Sequence, residues 1–539
     1  MPRIFISDKL EAGGIELLTA SGLEIDNRPG LKDAALQEAL QAADGMIVRS
    51  GTRVTAQLLE NKGKLRAIVR AGVGVDNIDV AAATRKGIVV MNTPGGNTVS
   101  TAEHTITMMM ALARHIPAAD ASVHQNKWER TKFVGTQLAG KTLGVVGLGR
   151  VGREVARRAV GLDMKVIGFD PFFAPDFANK LGIDTVSDLK SLLPKIDFLT
   201  VHTPLTPETT NLIGASQIAM MKKGVRLLNC ARGGIINEEA LAAALQSGHV
   251  AGAALDVYVQ EPPPADHPLL KLPNVVVTPH LGASTTEAQE SVALEAAQLL
   301  IDYLTKGAVQ FAVNMAAVDR AELDEVKLYV DMARRLGLLQ AQMAHGSIQK
   351  AQLTYRGEVA RRSTKLITAA FAAGLLETRL AQNVNIVNAE IIARERGIDI
   401  VEQISPKKGD FSTLIHTDVT TDKKTYTATG TLFGNQFLRL VQLGPYHLDA
   451  YMDGIMLIFT HRDVPGLIGF IGTIFGKHNV NIAQMTVGRV QPGGEAIAVL
   501  NLDNEPPEAA LDEVRRHEKI TSLSVVKLPP AGEMPPWFG

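Results

Sequence analysis

With 539 residues, 46% of them hydrophobic and 21% charged, the chain has ordinary globular composition and length for three or four domains. Fifty-five Lys and Arg against 56 Asp and Glu give a net charge of -1, so no whole-molecule field recruits nucleic acid or an anionic membrane, and any anion site must be local. No run approaches the roughly 18 apolar residues of a membrane helix, and Cys230, the one cysteine, excludes an intrachain disulfide. The amino terminus MPRIFISDKL reads as a first strand rather than a signal peptide, and the expected address is cytoplasmic.

Over the first three hundred residues short apolar runs, as in Ile4 to Ser7, Gly45 to Arg49 and Arg66 to Arg70, alternate with helix-like segments. That alternation predicts parallel strands joined by helices, a doubly wound α/β architecture. In KTLGVVGLGRVGREVARRAVGLDMKVIGFDP, residues 141 to 171, a strand, a glycine turn, a helix rich in Arg and Ala, and a second strand ending at Asp170 follow one another. After residue 310 the texture changes. A helical tract over 319–349 precedes Thr-rich, β-leaning sequence over 405–433, which predicts a separate α+β domain. From Gly454 onward the pattern reads βαββαβ, and the Pro- and Gly-rich tail 529–539 is expected to be poorly ordered.

Gly147, Gly149 and Gly152 form G-x-G-x-x-G. The first permits the tight turn, the second lets the backbone approach a pyrophosphate, and the third allows close helix packing, with helix amides facing the phosphates. Alone the pattern is a common strand-to-helix turn. Asp170, 18 positions after Gly152, changes the odds, because a carboxylate near that offset meets the adenosine ribose hydroxyls and repels a 2′-phosphate. The expected cofactor is NAD rather than NADP. Arg150, inside the turn, either touches a phosphate or faces solvent.

Four further segments, VMNTPGGNTVSTAEHT (90–105), NCARGGIINEEAL (229–241), ALDVYVQEPP (254–263) and VTPHLGAST (277–285), occur in order with the glycine turn. In this series the chain resembles the NAD-dependent D-2-hydroxy acid dehydrogenases over about the first 310 residues. Taken singly, Arg232, Glu261 and His280 read as a surface ion pair, a turn acid and a strand-end histidine. The resemblance implies instead that Arg232 pairs with the substrate carboxylate, that His280 takes the hydroxyl proton as hydride leaves C2, and that Glu261 holds the other imidazole nitrogen. It places Val73, Arg150, Val151, Thr203, Pro204, Cys230, Ala231, Asp256, Gly282 and Ala283 beside the cofactor, with Cys230 as lining rather than nucleophile. It also places Gly74 and Asn97 at the substrate.

Two features select the hydroxy acid. IVRSGTRVT (47–55), RAGVGVDNID (70–79) and KWERTKF (127–133) offer Arg49, Arg53, Arg70, Arg130 and Lys132 as partners for a phosphate, with Arg49 and Arg130 singled out. The carboxy-terminal extension resembles the intervening and ACT-type regulatory domains of long family members acting on 3-phosphoglycerate. There HRDVPG (461–466) and NVNIAQ (479–484) place His461, Asp463 and Asn481 as an amino-acid site, for L-serine as a regulator, against the alternative of an interface module that binds nothing. Arg439 is a looser candidate for an anion. The resemblance implies a Rossmann NAD domain (100–283) inserted in a flavodoxin-like substrate domain (1–99 and 284–315), an intervening domain (316–452), an ACT domain (453–528) and a homotetramer. It implies a small-molecule substrate and no metal, nucleic acid or membrane partner. The expected activity is oxidation of 3-phospho-D-glycerate with NAD. The alternatives are a hydroxypyruvate or glyoxylate reductase, and a non-catalytic NAD sensor.

Overall fold

Runs of Ile, Val, Ala and Met without polar interruption need cover on both faces, and the first such runs form an all-parallel sheet. The computed structural model describes residues 1–172, 182–315, 320–380, 384–405, 411–434 and 436–535. The chain divides into two compact units, one of Met1–Leu10, Gly14–Asn92 and Ala296–Gly539, the other of Glu11–Gly13 and Thr93–Glu295.

In the first unit, strands Arg3–Ile6, Glu24–Asn27, Gly45–Val48, Ala67–Arg70 and Val89–Asn92 form a five-stranded parallel sheet in the order 2-1-3-4-5, the flavodoxin-like order. Gly45 lies under helix Thr286–Lys306, where a β-carbon would stand 2.7 Å from Leu300. The chain then returns to the sheet edge: Met91 bridges to Ala312, and Asn314 accepts from the Val90 amide at 2.9 Å.

Beyond lies a six-stranded sheet of Asp399–Ser405, Ile348–Gly357, Thr413–Thr421, Thr425–Phe433, Phe437–Leu443 and Tyr446–Tyr451, in that spatial order and antiparallel except for the first pair. Helices Arg320–Met343 and Thr364–Glu377 cross at two glycines, since a β-carbon on Gly337 would stand 2.3 Å from the Phe371 carbonyl and one on Gly374 2.1 Å from that of Arg334. The first helix ends at Met343, short of the expected 349, because Gly346 turns the chain at φ 99° and the alternating run from Ile348 pairs as a strand. Residues 406–410 of the expected β stretch lie outside the described residues.

The last segment is the expected βαββαβ unit, with strands Ile482–Arg489, Glu495–Leu502, Ile455–Arg462 and Ile520–Lys527 side by side in that order. Its helices Leu467–Lys477 and Glu508–Arg515 bury Ile471, Phe475, Leu511 and Val514 in one core with Phe459 and Leu500. This sheet abuts the six-stranded one through side-chain amides: Gln484 accepts from the Tyr451 amide at 3.1 Å, and Asn501 donates to the Tyr451 carbonyl at 3.1 Å. The tail is tighter than its composition predicts. Arg335, 1% exposed, pairs with Asp331 at 2.9 Å and donates to the carbonyls of Met452, Pro529, Pro530 and Glu533. The final residues 536–539 of that tail are outside the described set.

The second unit holds a seven-stranded parallel sheet in the spatial order Val275–Val277, Val250–Leu255, Val225–Asn229, Phe198–Val201, Thr142–Val146, Lys165–Phe169 and Asp184–Thr185. Thr142–Val146 is flanked by the strand that follows it and by Phe198–Val201, so successive strands are laid down on opposite sides of it. That reversal is the switch point at whose carboxyl end α/β sheets bind ligands. His202 follows Phe198–Val201 there, bonds Thr200 at 2.9 Å, and is held neutral by burial, which pushes its pKa down to about 4.

Two stability predictions follow from these buried groups. Arg335→Met strands Asp331 and four carbonyls, and is expected to cost about 3–5 kcal/mol, read as a lower denaturant midpoint and partly recovered when Asp331→Leu is added. His202 has a folded pKa below its unfolded value near 6.5, so below that pH the unfolded chain takes up a proton that the fold refuses. Stability of the second unit is expected to fall between about pH 6.5 and 4 by roughly 3 kcal/mol from this group. Comparison of unfolding midpoints at pH 7.5 and 4.5 checks it, with a His202→Gln variant losing less than the parent.

Candidate active site

The glycine turn leaves strand Thr142–Val146 at Gly147, whose φ of 93° suits glycine and whose β-carbon would stand 2.5 Å from the His202 carbonyl. A β-carbon on Gly152 would stand 1.9 Å from the Gly147 carbonyl, so helix Arg150–Val160 can close on the turn only with hydrogen there. Gly149 differs. Nothing lies within 4 Å of its would-be β-carbon, and it caps the helix without a side-chain bond, leaving the first-turn amides open to an anion.

Asp170 is braced beside the turn, accepting from the Leu148 amide at 2.8 Å and the Phe172 amide at 2.9 Å. Thr203 Oγ1 is buried with no hydrogen-bond partner among the described residues. The open amides, the strand-end carboxylate and this orphaned hydroxyl fit a dinucleotide. Val151 lies in the helix's first turn. The exposed Arg150 guanidinium reaches toward Gly95 and the Glu295 carboxylate.

On the next strands, Asn229, 2% exposed, accepts from the Ala231 amide at 3.0 Å and donates to the Arg232 carbonyl at 2.8 Å, which fixes the turn carrying Cys230, Ala231 and Arg232. Burial, with the nearby Asp256 charge, pushes the Cys230 thiol up to about 12, so this core-packed side chain supplies no thiolate. Gly233 lets this turn approach the next loop, since a β-carbon would stand 1.9 Å from the Tyr258 carbonyl. Three residues on, Glu261 accepts from the Tyr258 amide at 3.1 Å and meets His280 Nδ1 at 2.7 Å. Burial raises the Glu261 carboxyl, but the bonds from His280 and the Tyr258 amide outweigh it and hold the group below the usual carboxylate range. An acceptor on Nδ1 leaves Nε2 of His280 as the nitrogen able to take a proton.

His280 has φ 57°, uncommon for a residue with a side chain, so its turn needs external support. Asp256 supplies it. This carboxylate, with no exposed surface, accepts from Thr278 Oγ1 at 2.6 Å and from the amides of Leu281 and Gly282 at 2.7 and 2.9 Å. Its oxygens are spent on the turn, so the carboxylate acts as an internal brace beside the expected cofactor position. Sequence reasoning missed His104, Thr278 and Asn229, which carry no recognisable chemistry until the fold brings them to the turns. Pro204 accepts from Thr209 through its carbonyl at 2.6 Å, Ala283 from Gln289 at 2.6 Å, and Asn97 caps helix Thr98–Ala113 with Oδ1 buried and unpartnered among the described residues.

The cations proposed for phosphate fall in both units. In the first, Asp8 braces the loop after Gly45–Val48 by accepting from the amides of Arg49 and Thr52 at 2.6 and 3.2 Å, and Arg49 Nη1 donates to the Lys9 carbonyl at 3.1 Å. Val73 and Gly74 follow strand Ala67–Arg70, with the Val73 carbonyl held by Asn92. Arg70 folds over Gly72, whose β-carbon it would strike at 1.6 Å. In the second unit Arg130 opens the short helix Arg130–Phe133, whereas Lys132 is paired with Glu129 at 2.6 Å.

The regulatory candidates have partners of their own. Asp463 pairs with Arg489 at 2.8 Å, which holds its carboxyl low, and Asn481 donates to Asp503 at 2.6 Å. His461 is 3% exposed, with Nδ1 at the Arg462 carbonyl and Nε2 without a partner among the described residues. Arg439 stacks on Tyr451 at 3.6 Å and bridges to Asp449 and Gln484. No cluster of metal-ligating side chains and no helix able to cross a membrane occurs among the described residues.

Comparison with known proteins agrees with this geometry. Residues 106–282 match the D-isomer specific 2-hydroxyacid dehydrogenase NAD binding domain, 325–444 the D-3-phosphoglycerate dehydrogenase intervening domain, and 455–519 the ACT domain. The chain is 41% identical to D-3-phosphoglycerate dehydrogenase of Methanocaldococcus jannaschii over 98% of its own length and 100% of the relative's. It is 42% identical to that of Bacillus subtilis with the same coverage. A solved glyoxylate reductase from Paecilomyes thermophila, 29% identical, superposes with TM-score 0.54 over 58% of this chain and 98% of its own. With two full-length relatives above 40% identity and the dehydrogenase, intervening and ACT segments matched in order, the chain belongs to the D-3-phosphoglycerate dehydrogenases, a long branch of the D-isomer-specific 2-hydroxyacid dehydrogenases.

Proposed function

We propose that the chain oxidises 3-phospho-D-glycerate to 3-phosphohydroxypyruvate with NAD, the first step of the phosphorylated route to L-serine. The observation that carries this reading is the His280–Glu261 pair at 2.7 Å on a pinned turn. Gly147, Gly149, Gly152 and Asp170 would hold NAD, which when bound supplies the hydride acceptor. Arg232, on its Asn229-braced turn, takes the substrate carboxylate in a two-pronged ion pair. His280 Nε2 accepts the C2 hydroxyl proton, and Glu261 fixes the tautomer by accepting from Nδ1 and stabilises the imidazolium that forms. In the reverse direction the same nitrogen returns the proton. Arg49 and Arg130 are assigned to the phosphate, a dianion that a chain of nearly zero net charge can hold only with local cations.

The ACT domain points to regulation by a small molecule, and L-serine, the pathway's end product, is the ligand proposed. A homotetramer is proposed with it from the family resemblance, and the exposed apolar side chains of Ile116, Val123, Trp128 and Val134, Trp128 by 79%, are in keeping with self-association.

The expected activity is NADH oxidation by 3-phosphohydroxypyruvate with kcat/KM at least about 10²-fold above that for hydroxypyruvate or glyoxylate, followed at the NADH absorbance band. Equal or faster loss with the unphosphorylated acids would assign the chain to reduction of those acids instead. His280→Ala is expected to lower kcat by about 10²–10⁴ while NADH still binds, as read by fluorescence titration. Turnover at the parental rate would remove His280 from the proton-transfer role.

A further inference from the structure

Helix Thr98–Ala113 directs one face at the turn that carries His280. Ser100 and Thr101 donate to the Gly282 carbonyl at 2.7 and 3.1 Å, and one turn later His104 Nε2 lies 3.2 Å from both Thr278 Oγ1 and Asp256 Oδ1. Met108, one turn further on, meets the Thr278 hydroxyl through its sulfur at 3.8 Å. The turn from Thr278 to Gly282 is therefore held on its amides by Asp256 and on its carbonyl by the helix.

The hydrogen positions follow from donor counting. The Asp256 carboxylate, already receiving two amides and the Thr278 hydroxyl, can only accept. The Thr278 proton goes to Asp256 at 2.6 Å, which leaves its oxygen as an acceptor toward the imidazole. His104 Nε2 thus faces two acceptors and must carry a proton shared between them. The Asp256 charge is also felt by Cys230, Tyr258 and Glu261, none of which brings positive charge, while His280 on the same turn is engaged by Glu261. His104 is the basic group paired with this buried anion, and burial of the carboxyl is outweighed by its bonds from His104, Thr278 and the Leu281 amide.

We propose that His104 is a positioning residue for proton transfer: by donating from Nε2 to Asp256 and Thr278 it fixes the carboxylate that pins the His280 turn. The proposal rests on the reading of His280 as the proton acceptor. A side chain that keeps a donor at the Nε2 position keeps the function, and one of similar size without a donor loses it.

The test compares His104→Leu, His104→Gln, Thr278→Val and His280→Ala in the full-length chain, measuring kcat and KM with 3-phosphohydroxypyruvate and NADH affinity by fluorescence. His104→Leu is expected to lose 10- to 100-fold in kcat with NADH affinity within about threefold of the parent, and His104→Gln to recover most of that loss. Thr278→Val, which keeps the histidine but removes the hydroxyl, is expected to lose about tenfold, and carries the test if His104→Leu fails to fold. A Leu or Val variant that turns over like the parent, or a Gln variant as slow as the Leu one, overturns the positioning role while a dead His280→Ala leaves the proton-acceptor reading standing. A fully active His280→Ala overturns that reading first, and the purpose of the clamp with it.

Discussion

A carboxylate removed from water must be surrounded by donors, and the donors that gather round Asp256 fix the second unit's chemistry. Two backbone amides, a hydroxyl and an imidazole converge on it, and three of the four belong to or adjoin the turn bearing His280. The need to satisfy one buried anion thereby becomes a constraint on where an exposed imidazole stands. His280 can remain half open to solvent, in a backbone conformation that residues with side chains seldom adopt, because the turn is held from beneath.

The same division of labour recurs across the sheet. Asn229 does for the Arg232 turn what Asp256 does for the His280 turn: a buried polar side chain at a strand end spends its capacity on backbone groups of the loop that follows. Gly233 then allows the Arg232 turn to meet the loop of Tyr258 backbone to backbone, the loop that also carries Glu261, the partner of His280. At the glycine turn the logic is inverted. Gly149 caps the helix without a side-chain bond and leaves open space beside its first turn, room that suits an external anion.

Much of this was legible in the sequence. Periodicity alone gave parallel sheets and the final βαββαβ order, since buried strands and amphipathic helices leave different apolar spacings. The glycine turn with Asp170 was readable because each residue answers a local steric or charge requirement. Arg232, Glu261 and His280 became readable only as a series, for singly each has an ordinary alternative. What stayed hidden depends on distant pairing. Nothing in the string joins His104 to Asp256 across 152 positions, Arg335 to Pro529 across 194, or Arg439 to Tyr451 as a stacked pair. The tail was misjudged for that reason: Pro and Gly content describes local stiffness and takes no account of a remote guanidinium short of acceptors.

That guanidinium has a practical consequence for anyone who trims the protein. Four carbonyls surround Arg335, and three of them come from beyond Leu528, where the last strand has already ended. A chain stopped at the apparent end of the ACT fold would keep every strand and helix of that fold. It would also open a hole over a buried cation of helix Arg320–Met343, so the stretch from Pro529 to Glu533 behaves as a plug for the intervening domain rather than as an appendix to the regulatory one.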